Sequence, residues 1–405
     1  HFVVSVYKLL DYEGKENMSI CLHNGTLLSG FSVMKDCAVL IEDGKIEDVF
    51  SESRFEKKHF GSDVKVYDVG GAYIAPGFID THIHGFNGHG TDLITEEGIL
   101  AMSKDLAQYG VTAFNPTMYP SSEEEMIKGI KTIVSCMGKE KGAKIMGIHL
   151  EGPFISPEKL GVQRPETVKP VDIKLMEKLW DASEGHIVNM TVAPELKGMR
   201  DLALYCIKRG IILQAGHTNA EYNHMTEGMQ AGILHSTHLF NAMSQMHHRN
   251  PGAVGAVLIH REMACEIVAD GVHVHPDLLR LLMRDKPLDK ILLVTDALTP
   301  TEQSEGTLYA NGEEVMFKEG CFHRVADDVI AGSSLTMIKG IKNLVSFGFS
   351  IGDAVKCASA NPAELMHYKN KGMLIPGYDA DIAVFDKHFN VLLTAVNGNI
   401  KKNIL

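Results

Sequence analysis

His82 and His84 close the segment Pro76-Gly77-Phe78-Ile79-Asp80-Thr81-His82-Ile83-His84, a short apolar run that ends in a His-x-His pair. In an extended strand, side chains two apart project to the same face, so both imidazoles leave one strand end together, spaced to hold one metal ion. Later apolar runs end in further ligands or acid–base groups: Glu151 before Gly152-Pro153, His217 after Gln214-Ala215-Gly216, His238 after Ser236-Thr237, and Asp296 after Val294-Thr295. A carboxylate with two histidines is a catalytic-metal set, three protein ligands with one position open for water. Metal at such a site lowers the pKa of water toward neutrality. Asp296 is then the carboxylate placed to take that water's proton and later deliver it to a leaving group. Singly, each residue has a plainer reading: a lone histidine at a strand end is usually hydrogen-bonded or on the surface, and a lone aspartate after a strand is usually a cap or turn. Their joint occurrence in chain order is what points to a metal site. His149, two residues before Glu151, reads as a supporting partner or a packed core residue, and His247, His248 and His275 as surface or loop residues.

Such residues meet only if the strand ends meet. From Phe78 onward, apolar runs at 78–84, 111–118, 144–151, 187–194, 211–217, 234–239, 265–270 and 291–297 alternate with helical stretches. Eight strands, each followed by a helix or loop, predict a (β/α)8 TIM-like barrel, whose active site lies at the C-terminal ends of the strands. A hairpin at 307–324, turning at Asn311-Gly312, and helices at 335–347 and 351–359 follow. Residues 19–75 and the tail 377–395 read as β, with an Asp-Gly hairpin signal at Asp43-Gly44. They predict one small β-sandwich built from both termini. The expected organisation is a small β domain at 18–75 and 361–405 and a hydrolase barrel at 76–360. Residues 1–17 read as a tag remnant or an upstream extension.

The composition suits a soluble globular enzyme, 405 residues with 45% hydrophobic and 22% charged side chains. A net charge of -12 argues against a nucleic-acid or anionic-membrane partner. No apolar run reaches transmembrane length. His1-Phe2-Val3-Val4 lacks the basic start of a secretory leader. The seven cysteines are scattered and never form a Cys-x-x-Cys pair, as expected of reduced, packed thiols in a cytoplasmic protein.

From about residue 20 to the end, the chain resembles the amidohydrolase superfamily. The shared segments are Val39-Leu40-Ile41-Glu42-Asp43-Gly44-Lys45-Ile46, Tyr73-Ile74-Ala75-Pro76-Gly77-Phe78-Ile79-Asp80 and the closing Gly372-Met373-Leu374-Ile375-Pro376-Gly377-Tyr378-Asp379-Ala380-Asp381. More specific segments resemble the N-acetylglucosamine-6-phosphate deacetylase family: His149-Leu150-Glu151-Gly152-Pro153-Phe154, Gly216-His217-Thr218-Asn219-Ala220, Thr237-His238-Leu239-Phe240-Asn241-Ala242-Met243, Ala269-Asp270-Gly271-Val272-His273 and Ala331-Gly332-Ser333-Ser334-Leu335-Thr336-Met337.

The resemblance implies hydrolytic deacetylation of N-acetyl-D-glucosamine 6-phosphate to D-glucosamine 6-phosphate and acetate. It makes Glu151, His217 and His238 the main metal ligands and Asp296 the catalytic acid–base. Val162, Gln163, Asn241, Ala242, Asp270, His273, Ile330, Ala331 and Gly332 fall where the family contacts substrate. Arg249 matches an arginine that reaches the phosphate, often across a dimer interface, so a homodimer is expected. A guanidinium suits phosphate because its planar fork donates two bonds. Some members lack the first-strand histidines and use one ion. Here His82 and His84 leave room for a second, and with no lysine at a barrel strand end, Glu151 would have to bridge. The ion is divalent: zinc, iron, nickel, cobalt or manganese, one or two per subunit. Leu160-Gly161-Val162-Gln163 stands where other members carry Gly-Ala-His, a histidine thought to polarise the substrate carbonyl, and glutamine can donate there without carrying charge. The alternatives are a related N-acetylhexosamine phosphate or a cyclic amide as substrate, and a metal-free assembly protein on the same fold.

Overall fold

The computed structural model describes residues 19–303 and 307–405. The expectations for residues 1–17 lie outside the described residues.

Eight parallel strand positions form the barrel: Phe78–Ile83, Val111–Met118, the split third strand Lys144–Ile145 and Ile148–Glu151, then Ile187–Val192, Ile212–Ala215, His235–Ser236, Ala264–Val268 and Ile291–Val294. The first and last strands close the ring through the Asp296 N–H to the His82 carbonyl at 2.9 Å and the His84 N–H to the Ala297 carbonyl at 3.0 Å. The Thr295 hydroxyl donates across the same seam to buried Asp80 at 2.6 Å. Helices pack outside on apolar stripes. Glu123–Cys136 buries Met126, Ile130, Ile133 and Cys136 on one face, and its start is fixed by a reciprocal cap between Ser122 and Glu125.

Several apolar runs overshoot the strands they predict, most of all 234–239, of which only His235–Ser236 is strand. The cause is in the backbone: His217, His238 and Asp296 lie just beyond their strands with positive φ values of 47, 23 and 50°. A left-handed backbone at non-glycine residues costs energy and ends the ladder, turning each side chain inward across the barrel mouth.

The terminal segments meet in one eight-stranded sheet. Ser19–Leu28 pairs with Val33–Glu42, Val64–Asp68 and Tyr73–Pro76, and Tyr73–Pro76 then pairs with Ile382–Phe385 from the chain's end. A further strand that the sequence reading did not mark, Asn399–Asn403, pairs with Val391–Val396. Leu22, Val39, Ile74, Val384 and Leu393 share one apolar core drawn from both arms of the sheet. The helix Ala360–Leu365 instead caps the barrel, where Asn361 donates to the carbonyls of Leu288 and Ile291. The expected boundary at 361 falls inside this helix.

The insertion after the eighth strand is larger than the hairpin expected at 307–324. Leu308–Ala310, Glu313–Lys318, Cys321–Arg324 and Ile330–Ser333 form a four-stranded antiparallel sheet over the barrel mouth. Its first turn is at Asn311-Gly312, both with positive φ, which is the hairpin geometry this pair favours. Ile330, Ala331 and Gly332 lie in its last strand. An Ala297–Ser333 bridge anchors that strand to the barrel.

Candidate metal centre and active-site cleft

Glu151 sits at the centre of the barrel mouth. Its Oε1 lies 3.1 Å from His217 Nε2, 3.1 Å from His238 Nε2 and 3.4 Å from His82 Nε2. Its Oε2 lies 3.2 Å from His84 Nε2. Asp296 Oδ1 faces the same first-strand pair, at 3.4 Å from His82 Nε2 and 3.5 Å from His84 Nε2. Two ligand-type groups result, Glu151 with His217 and His238, and His82 with His84 and Asp296.

The outer ring nitrogens decide what these imidazoles can do. His84 Nδ1 faces the Thr117 carbonyl at 3.1 Å, His217 Nδ1 the Lys159 carbonyl at 3.0 Å, and His82 Nδ1 the Glu266 carboxylate at 2.9 Å. A carbonyl or carboxylate only accepts, so each Nδ1 carries the hydrogen and each neutral ring turns its Nε2 lone pair inward. Lone pairs then face carboxylate oxygens, and His217 Nε2 faces His238 Nε2 at 3.1 Å. His82 Nε2 is buried without a hydrogen-bond partner. Only a cation at the centre, protons or a metal ion, makes that arrangement attractive, so the donor set fits a divalent metal. Burial opposes charge on Glu151, yet with protons on the facing His217 and His82 in place of a metal their charge outweighs it and holds the carboxyl well below the ordinary range.

A cleft of about 290 Å³ opens over these groups. It is lined by His84, Glu151, His217, His238 and Asp296, and by the expected contact residues Val162, Gln163, Asn241, Ala242, His273, Ile330, Ala331 and Gly332. Asp270 stands behind it, accepting from His273 Nδ1 at 2.6 Å and from the backbone N–H groups of Val272 and His273. His82 lies beneath, fully buried. Arg249 is not among the lining residues. It is exposed on a loop, with Nη1 2.6 Å from His248 Nε2.

Gln163 lines the cleft beside Glu151. Its Nε2 donates to Glu151 Oε2 at 2.7 Å, so its amide steadies the carboxylate. His149 makes no hydrogen bond to Glu151. It bridges Thr117 and Thr191 at 3.1 and 2.9 Å, and burial pushes its pKa well below the ordinary value, so it is a neutral core group. His247 and His248 are exposed, and His275 caps the helix Pro276–Asp285.

Tyr119 was missed. It follows the second strand and stacks on His84 with ring centroids 3.8 Å apart, forming a wall of the cleft. Its place after the strand Val111–Met118 was the available signal, but an aromatic residue there carries no ligand chemistry to mark it.

The amidohydrolase family profile matches residues 73–402. The chain belongs to the amidohydrolase family. Similar relatives fall on one activity. The N-acetylglucosamine-6-phosphate deacetylase of Bacillus subtilis (strain 168) is 32% identical, covering 94% of this chain and 97% of that protein. The crystal structure of N-acetylglucosamine-6-phosphate deacetylase from Pasteurella multocida superposes with a TM-score of 0.88 at 28% identity, covering 95% of this chain and 100% of the other. A point mutant of the Mycobacterium smegmatis enzyme, solved in complex with N-acetyl-D-glucosamine-6-phosphate, gives a TM-score of 0.87 at 25% identity, covering 96% of this chain and 100% of the other.

Proposed function

We propose that this amidohydrolase removes acetate from N-acetyl-D-glucosamine 6-phosphate, leaving D-glucosamine 6-phosphate, in amino-sugar metabolism. The observation that carries the reading is the inward convergence of the His217, His238 and His84 Nε2 atoms on Glu151, with Asp296 in the same cleft, in a chain similar along nearly its whole length to deacetylases of that substrate.

Glu151, His217 and His238 would hold one divalent ion, and His82 and His84 would hold a second. Such an ion supplies acidification of a water and polarisation of the amide carbonyl. The chain's own residues do the rest. Asp296 accepts one proton of the attacking water and returns it to the nitrogen as the carbon–nitrogen bond breaks; the water's second proton passes from the new carboxyl to the amine, so acetate and an ammonium leave with atoms and charge balanced. Gln163 holds Glu151 in place through its amide. Asp270 fixes His273 with hydrogen on Nδ1, leaving Nε2 for a sugar hydroxyl. Asn241 and Ala242, with Ile330, Ala331 and Gly332 opposite, enclose the sugar.

Arg249 binds the 6-phosphate of a neighbouring subunit's substrate in a homodimer. Its exposure and its absence from the lining of its own cleft support that reading. The donor set of carboxylate and imidazole accepts zinc, iron, nickel, cobalt or manganese. The barrel, capped by the helix Ala360–Leu365, acts as the catalytic unit, with the terminal β segments as a supporting sheet. Among the described residues, no helix is long and apolar enough to cross a membrane. All seven cysteines are buried and unpaired, which supports a cytoplasmic location.

The test is acetate release from N-acetylglucosamine 6-phosphate by metal-analysed protein, with chelated and reconstituted controls. Release that disappears on chelation and returns with metal supports the reading. No release from fully metal-loaded protein rejects this substrate.

A further inference from the structure

The barrel interior holds a chain of buried polar side chains that the reaction above does not use. The Tyr368 hydroxyl donates to Asn115 Oδ1 at 2.7 Å, Asn115 Nδ2 to Asn189 Oδ1 at 3.2 Å, Asn189 Nδ2 to Gln214 Oε1 at 2.6 Å, and Gln214 Nε2 to Glu266 Oε1 at 2.7 Å. The other Glu266 oxygen takes His82 Nδ1 at 2.9 Å and the His238 backbone N–H at 3.2 Å. Asn115, Asn189, Gln214 and Glu266 are each 2% exposed or less.

The direction of this chain is set from one end. An ionised carboxylate only accepts, so Gln214 must present its NH2 to Glu266 and its carbonyl to Asn189. The same constraint then orients Asn189, then Asn115, and ends on a hydroxyl that is free to donate. Donors therefore run toward Glu266 across the second, fourth, fifth and seventh strands. His82, on the first strand, adds one more.

We infer that Glu266, held by this directed chain of amides, is the positioning residue that commits His82 to metal binding. With Nδ1–H locked onto Glu266, the His82 ring cannot turn over, and its unpartnered Nε2 is aimed between Glu151 and Asp296. The carboxylate also makes the imidazole a stronger donor toward a cation. Glu266 thereby sets the retention of the ion beside His82 and His84, and reaches the ion at Glu151, His217 and His238 only through the His238 backbone N–H, because the His217 imidazole is oriented by the Lys159 carbonyl instead. The inference rests on the two-ion reading proposed above.

The test uses the full chain loaded with cobalt(II), dialysed against graded chelator, with retained cobalt counted by elemental analysis and followed by its visible spectrum. Wild type, Glu266→Gln, His82→Ala and the double variant are compared. Glu266→Gln should weaken retention of one ion on the order of 10- to 100-fold and leave the other within about twofold. In the His82→Ala background the same change should do nothing further, as coupled residues require. Should Glu266→Gln fail to fold, Glu266→Asp, which keeps the charge but withdraws it from Nδ1, should show the same selective loss. Two ions retained as in wild type, or both weakened equally, would overturn the role of Glu266 alone. A wild type that holds a single ion would overturn the two-ion reading and this inference with it.

Discussion

His217 Nε2 and His238 Nε2 stand 3.1 Å apart, both against the same oxygen of Glu151. Two ring nitrogens in van der Waals contact around a carboxylate are stable only with positive charge between them. The left-handed backbone at both histidines, away from the straight course of their strands, brings about this approach.

Replacement of Glu151 by Gln should empty the ion site it shares with His217 and His238, because an amide brings neither the charge nor both oxygens. Elemental analysis of the purified variant should find substoichiometric metal, and acetate release should fall by at least about a hundredfold, in the range of losing a catalytic metal's contribution. Full metal content with ordinary turnover would reject the ligand assignment.

Asp296→Asn should separate binding from chemistry. The variant should keep the metal at Glu151, His217 and His238 while kcat falls by about 10²–10⁴, the usual worth of a general acid–base group. Turnover close to wild type would sink Asp296 as the proton carrier.

Arg249→Ala should raise KM for the phosphorylated substrate by more than about tenfold and leave kcat nearly unchanged, as expected when only ground-state and transition-state binding are lost together. Mixing Arg249→Ala chains with Asp296→Asn chains should then restore activity. A mixed dimer has one site with an intact Asp296 and an arginine supplied by the other chain. Absence of restoration, with mixed dimers demonstrated, would place the arginine's action within its own subunit or nowhere.

Lys371 locks the segment leading from the barrel into the terminal sheet. Its Nζ lies 2.6 Å from Asp381 and 3.0 Å from Asp379, and Lys45 binds Asp379 from the other side. Burial works against the Lys371 charge, but Asp381 and Asp379 outweigh it and raise its pKa. Burial likewise opposes charge on Asp379, and its two lysines outweigh it and lower its pKa. Lys371→Met should cost about 3 kcal/mol, since it strands buried Asp381 without its partner. The raised lysine contributes fully below its unfolded value of about 10.4 and loses that contribution as pH climbs through the folded value. The depressed aspartate contributes fully above about 3.9 and loses it as pH falls. The gap in Tm between wild type and variant should therefore be flat between those limits and narrow outside them. A gap that does not change at either extreme would remove the ion pair as its cause.

Much of this molecule can be read before it is folded. Alternation of apolar runs with helical stretches specifies eight strands and a barrel, because burial on both faces leaves strands no polar face to show. Glu151, His217, His238 and Asp296 are recognisable because each is a ligand or acid–base type that ends such a run. The order of the strands and the residue types at their ends are therefore legible in the chain before it folds. Tertiary structure alone decided which residues support that chemistry and how. Tyr119 stacks on His84, Gln163 turns to Glu151, and Glu266 reaches His82 from a strand 184 positions away. It also decided that Arg249 stands outside its own cleft and that Ile330, Ala331 and Gly332 belong to a strand of a four-stranded sheet. Such relations depend on barrel closure and on backbone angles at a few strand ends, and no local pattern of residue types encodes the distance between groups that meet only when the ring is shut.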